Sequence, residues 1–279
     1  MEAAMAHAAS AAVAPNPSSF AAAEKLGVSC TACHLEAGHI VGSGSADPKR
    51  APHPVSVSAS LSDPALCARC HQFGSGAAVN GKPLENTHAE WQASRWGQAG
   101  ATCQSCHMPG GEHLFQGIHT PDFVRTGVEV SWESRGRSGR LLLANTNVGH
   151  AFPSYATPQV ELVVQPEDGQ GRPRGPPRLE VIGRRVHFVE GAWHEQADTR
   201  VLPGATAVLD YAFSTEPAAT VLHASVRVEP DFGYIEIYRD MLLRPGLPRA
   251  RRAQLEAALA AAQRSGYQIF DERRPLPGP

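Results

Sequence analysis

Three five-residue stretches decide how this chain is read: CTACH at 30–34, CARCH at 67–71 and CQSCH at 103–107. Each is a cysteine pair at two-residue spacing with a histidine directly behind it. Such a pair can be half of a zinc site, a thioredoxin-like redox pair or a haem attachment site. The histidine favours haem, because it can bind the iron from one side while both cysteines hold the vinyl groups. All six cysteines lie in these units, so none is left for a structural disulfide. Zinc needs four ligands per ion. Three cysteine pairs would give one all-thiolate site and a leftover pair. The arithmetic points instead to three heme c groups, held at Cys30, Cys33 and His34, at Cys67, Cys70 and His71, and at Cys103, Cys106 and His107.

The text around the motifs fits that reading. The first 120 residues hold nine of the thirteen histidines but only five aromatic residues, Phe20, Phe73, Trp91, Trp96 and Phe115. A segment so poor in large apolar side chains struggles to build a core of its own. Haems are large flat apolar bodies, and loops and short helices would wrap them. THAEWQASRW at 87–96 predicts a helix with Thr87 as N-cap and Glu90 completing a capping box. Trp91 and Arg95 would then share one face. Residues 101–108 predict a short helical turn that presents His107 and stops at Pro109 and Gly110.

From about Val124 the pattern changes. Apolar alternation at 128–132, 140–146, 159–165, 178–189, 206–213 and 220–229, broken by Gly- and Pro-rich turns, predicts antiparallel strands. Six or seven such strands suggest an all-β, immunoglobulin-like sandwich, with a partly open barrel as the alternative because the alternation is imperfect. After Pro248, Leu255, Ala258, Leu259 and Ala262 form a helical stripe, with Gly266 as the expected C′ residue. The expected organisation is a flexible lead over 1–24, a triheme cytochrome c domain over 25–123, a β-sandwich over 124–242, and a C-terminal helix and tail over 243–279.

His34, His71 and His107 are the proximal iron ligands by position. Ten further histidines compete for the opposite face. His53 lies between Pro52 and Pro54, which stiffen its backbone. His113 and His119 flank LFQGI directly after the third motif. His150 sits in NTNVGHAFPSY at 145–155, where Gly149 permits a close approach and Pro153 fixes the chain. An imidazole from that loop would tie the two halves of the chain together. His39 follows the first motif on a short loop, and His88 lies on the predicted helix. The expected distal set is His53, His113, His119 and His150. Met108 adjoins His107 and cannot reach the far face of the same haem.

The chain carries a formal charge of -2, which gives no reason to expect a nucleic-acid partner. The short run PRARR at 248–252 reads as a solvated helix end. Residues 1–120 hold six Lys/Arg and eight Asp/Glu, and the rest holds nineteen of each. With haem propionates added, the first part should carry the negative field. That predicts a partner with a basic rim, steered by long-range attraction that salt screens. Covalent haem attachment takes place outside the bacterial cytoplasm, so a periplasmic or extracellular location is expected. Residues 1–24 show no basic n-region or apolar core of an export signal, and no stretch is long enough for a membrane span.

At these residues the chain resembles the multihaem cytochromes of the cytochrome c554-like group, in a short three-haem form with a β-rich tail. The matching text is CTACH, APHPV, CARCHQF, THAEW with Ser94, CQSCHMP, HLFQGIH, NTNVGHAFPSY and DTRVLPG at 198–204. These blocks cover most of residues 28–230. That group reads Thr-Gly after the Phe-Pro pair, where this chain has Ser154 and Tyr155. The resemblance implies bis-histidine haems and electron transfer outside the cytoplasm, and it names no partner. Redox proteins are the expected partners, and a further reading makes the β region a docking module for a membrane oxidoreductase. Enough histidines exist to close every iron, and no paired carboxylates or nucleophile–base set marks a separate active site. An electron carrier is therefore expected, and a haem reductase with one open coordination site is the alternative.

Overall fold

The computed structural model describes residues 28–44, 53–190, 192–214 and 219–276. The lead assigned to 1–24 lies outside the described residues. By its internal contacts the chain divides into two compact units, Met1–Cys70 and His71–Pro279.

The first unit is built from short pieces. Helix α1 (Thr31–His34) carries the first motif and runs into β1 (Leu35–Glu36). An Ala37-Gly38 turn, both residues at positive φ, folds β1 back on β2 (His39–Gly42), and β2 pairs in parallel with β3 (Ser56–Val57). Ser58 and Ser60 both donate to the Glu36 carboxylate, and these bonds lower its pKa. Helix α2 (Pro64–His71) carries the second motif across the end of this unit.

The second unit opens on a small hairpin, β4 (Ala78–Val79) and β5 (Lys82–Pro83). Its turn is Asn80-Gly81, both at positive φ, as a two-residue hairpin requires. Helices α3 (Thr87–Ala93), α4 (Arg95–Gln98) and α5 (Cys103–His107) follow, then α6 (Pro121–Gly127). Here the expected capping box fails. Asn86 is the N-cap and makes no side-chain cap bond, while Thr87 donates to Glu85 and Glu90 is engaged elsewhere. Ser94 breaks the predicted single helix and caps α4. Arg95 therefore stacks over Trp96, 4.7 Å from its centroid, instead of sharing a face with Trp91.

The β region forms two antiparallel sheets. β6 (Glu129–Arg135), β7 (Ser138–Ala144) and β11 (Thr206–Ala212) make one, in the order β11-β7-β6. β8 (Gln159–Glu167), β9 (Arg178–Val189), β10 (Ala192–Asp198), β12 (Val221–Glu229) and β13 (Tyr267–Pro275) make the other, in the order β10-β9-β8-β12-β13. Alternate residues of both sheets meet in one apolar core that includes Leu141, Leu143, Leu209, Val160, Leu162, Ile182 and Val226. Two helices, α7 (Phe232–Leu243) and α8 (Arg249–Ala262), lie between β12 and β13. The stripe on α8 is inward-facing as expected, with Ala262 buried. Gly266 is not its C′ residue: α8 ends at Ala262 with Gln263 as C-cap, and the chain turns into β13.

Asp168 closes the loop after β8. It accepts from the backbone N–H of Arg172 (3.0 Å) and Gln170 (2.9 Å) and from the Arg174 and Arg172 guanidinium groups. The Arg172 backbone bond leads in holding its pKa far below the ordinary carboxylate value. A depressed pKa gives stability that is present above the unfolded value and lost as pH falls through the folded one. Asp168→Asn protein should therefore be less stable than wild type at pH 7, with the gap closing well below the ordinary value of 3.8. Denaturant melts of both proteins at the two pH extremes check this.

Candidate haem sites

Each CxxCH unit lies on a helical turn: the first on α1 with Cys30 at its N-cap, the second at the end of α2, the third forming α5. Residues at i, i+3 and i+4 of a helix share one face. The two sulfurs and the imidazole of each unit are thus presented together. Thr102 and Ser105 build a full capping box on α5, so the third turn is fixed by its own sequence. The cysteines are exposed or half-buried, accessible to a group placed against the turn.

The histidine tautomers fit the same chemistry. His34 Nδ1 lies 2.8 Å from the Val41 carbonyl and His107 Nδ1 lies 2.5 Å from the Gln116 carbonyl. A carbonyl accepts only, so Nδ1 carries the proton and Nε2 the lone pair a metal needs. Such outer bonds orient ligating imidazoles. His71 differs: its Nδ1 faces the Glu85 carboxylate at 3.9 Å. Glu85 is buried, and desolvation pushes its pKa up to about 7, against its bond from Thr87 and with Glu90 adding to the rise.

His150 is brought to His107. The two rings stand with centroids 6.2 Å apart and planes 12° from parallel. His150 Nδ1 is 3.0 Å from the Ala151 carbonyl, which fixes the same tautomer. Burial pushes its pKa down to about 4, and the charges of His107, His71 and Arg200 push the same way. The ring is therefore neutral, as a ligand must be. Gly149 allows the approach: a Cβ there would meet Trp91 Cδ1 at 3.3 Å and Trp96 Cβ at 3.5 Å.

The other sequence candidates are placed differently. His119 Nε2 is 3.0 Å from Asp231 Oδ1, so a carboxylate holds it. His113 is exposed and packs edge-on to Phe115 at 5.9 Å. His53 is exposed, with Nδ1 3.4 Å from the Pro54 carbonyl. His39 is exposed on β2, and His88 packs against Trp91 at 5.3 Å. Of the distal candidates, only His150 is seen with its ring beside that of a proximal histidine among the described residues.

No protein-family model matches the chain, and no curated protein does. Among solved structures, a penta-heme cytochrome c552 from Thermochromatium tepidum matches with a TM-score of 0.56 at 17% identity. The chain has a multihaem c-type cytochrome fold. The match covers 80% of this chain and 58% of that one. Among the described residues, no helix is long and apolar enough to cross a membrane.

Sequence reasoning missed the groups that hold this site. Glu90 accepts from the Ala151 backbone N–H at 3.0 Å and from Arg200 at 3.3 Å. Asn145 donates to the carbonyls of His150 and Val201, both at 2.9 Å. Arg200 lay in the quoted block DTRVLPG and Asn145 in NTNVGHAFPSY. Their presence there was the available signal, but their partners are far away in sequence.

Proposed function

We propose that this chain carries electrons outside the cytoplasm through three covalently attached c haems, in a short form of the cytochrome c554-like group. The observation that carries the reading is the His107–His150 pair. His107 and His150, with ring centroids 6.2 Å apart, would hold one haem iron between them. The parallel rings, the paired Nδ1–carbonyl bonds and the CxxCH turn on α5 all agree with bis-histidine ligation at the third motif. When bound, haem supplies the one-electron couple. The chain's residues hold it by Cys103 and Cys106, orient His107 through Gln116, and offer His150 from the β region. Cys30, Cys33 and His34, and Cys67, Cys70 and His71, hold the other two haems in the same way.

The immunoglobulin-like reading of the β region belongs to the same proposal. The orders β6-β7-β11 and β10-β9-β8-β12-β13 correspond to A-B-E and C″-C′-C-F-G of a variable-type domain without strand D. Partners are redox proteins, a membrane oxidoreductase among them, that approach the acidic haem-bearing part.

Optical spectra of holoprotein with and without carbon monoxide test the function. A carrier should be low-spin throughout and indifferent to carbon monoxide. His150→Ala should convert one haem of three to a high-spin form that binds carbon monoxide. A native high-spin haem would instead mark a reductase. A His150→Ala spectrum identical to wild type would remove His150 from the ligand set.

A further inference from the structure

We infer that Glu90 and Arg200 are positioning residues that hold His150 against the third haem, an inference that rests on the ligand reading above. Five backbone groups of the loop from 150 to 154 are held by residues outside it. Asn145 takes the His150 carbonyl at 2.9 Å. Glu90 Oε2 takes the Ala151 N–H at 3.0 Å. Phe152 exchanges two 2.9 Å backbone bonds with Val201. Arg200 takes the Ser154 carbonyl at 2.9 Å.

The two charged residues also bind each other, Arg200 Nη1 to Glu90 Oε1 at 3.3 Å. Asp198 holds the Arg200 guanidinium from behind at 2.8 and 3.1 Å, and Lys82 reaches Asp198 at 2.5 Å. Both clamp side chains are shielded, Arg200 at 4% and Glu90 at 10% exposure. Charge-assisted bonds in such surroundings are stronger than neutral ones and geometrically specific. Glu90 sits on α3, whereas Asp198 ends β10 and Arg200 follows it. The clamp therefore spans from the helix to the β region across the one backbone N–H next to His150. An axial ligand supplied by a loop detaches as readily as that loop moves. A clamp of this kind keeps the sixth position closed, and a closed position is what separates a carrier from a haem that binds exogenous ligands.

The test uses purified holoprotein, with carbon monoxide as the probe and electron paramagnetic resonance for spin state. Four proteins are compared: wild type, Glu90→Ala, Glu90→Gln and His150→Ala. Glu90→Ala should raise the rate of carbon monoxide capture by one haem about ten-fold or more, the factor expected for one lost charge-assisted bond. Glu90→Gln keeps an acceptor for the Ala151 N–H and should restore most of the low-spin signal. A purely structural Glu90 would lower thermal stability in both variants without opening any haem to carbon monoxide. If Glu90→Ala does not accumulate, Arg200→Lys provides the same readout, since one ammonium cannot hold Glu90, Asp198 and Ser154 together. Wild-type capture rates in Glu90→Ala or Arg200→Lys, beside an opened haem in His150→Ala, overturn the clamp and leave the ligand. A closed haem in His150→Ala overturns the ligand reading, and the clamp falls with it.

Discussion

Protein with serine at both Cys67 and Cys70 should leave denaturation with two haems instead of the proposed three. Thioether attachment needs the sulfurs, and all six cysteines of the chain are committed to CxxCH units, so no neighbour can substitute. The effect should extend beyond stoichiometry. The polypeptide buries none of the eight residues of α2, so that helix has no core of its own to fall back on. Loss of the haem should leave α2 exposed, and limited proteolysis should cut near residues 60–75 before any other described segment. His71 alone, faced by Glu85, would not retain haem through denaturation. Three haems surviving in the double variant would mean that the second motif serves some other end.

Arg184→Ala should cost about 3–5 kcal/mol, the usual penalty for removing one partner of a buried ion pair. The Arg184 side chain is fully buried and bonds Glu195 at 2.8 Å. Its two terminal nitrogens reach the carbonyls of Val79 (3.3 Å), Lys82 (3.2 Å) and Pro83. One guanidinium from β9 thus satisfies the acceptors of the β4–β5 hairpin and ties that hairpin to the five-stranded sheet. Truncation leaves Glu195 and three carbonyls without this donor. Arg184→Lys should recover only part of the loss, because an ammonium lacks the planar fork. Denaturant midpoints of the holoproteins check this. A loss below about 1 kcal/mol would place Arg184 with exposed pairs and detach the hairpin from the sheet.

The parts of this molecule that could be read in the sequence are those governed by local chemistry. The three motifs fixed their own helical turns. Strong alternation located β7, β8, β9, β11 and β12 to within a few residues. Two strands escaped, β10 and β13, because their mostly exposed patterns, such as that of DERR in β13, look like loop. Helix α7 escaped for the opposite reason. Its YIEIY text alternates like a strand, yet it folds as a helix in which Tyr234 and Tyr238 stack at 6.0 Å. The Asn80-Gly81 hairpin carried a legible turn signal that was passed over, because its strands are only two residues long. His150 was legible as a stiff loop histidine, but its partner was not. The Glu90–Arg200 clamp joins residues 110 positions apart, and no local pattern announces such a pair. Thr87-to-Glu90 spacing even argued for a capping box, when Glu90 was needed by Ala151 instead.

The intact mass of the mature, denatured protein, taken with its ferrous spectrum after alkaline pyridine treatment, tests the three-haem assignment most directly. The expected result is a mass equal to the processed polypeptide plus three haems, with a c-type spectrum showing both cysteines of each motif attached. A polypeptide carrying two haems or fewer, or one that binds zinc through the same thiols, would contradict it.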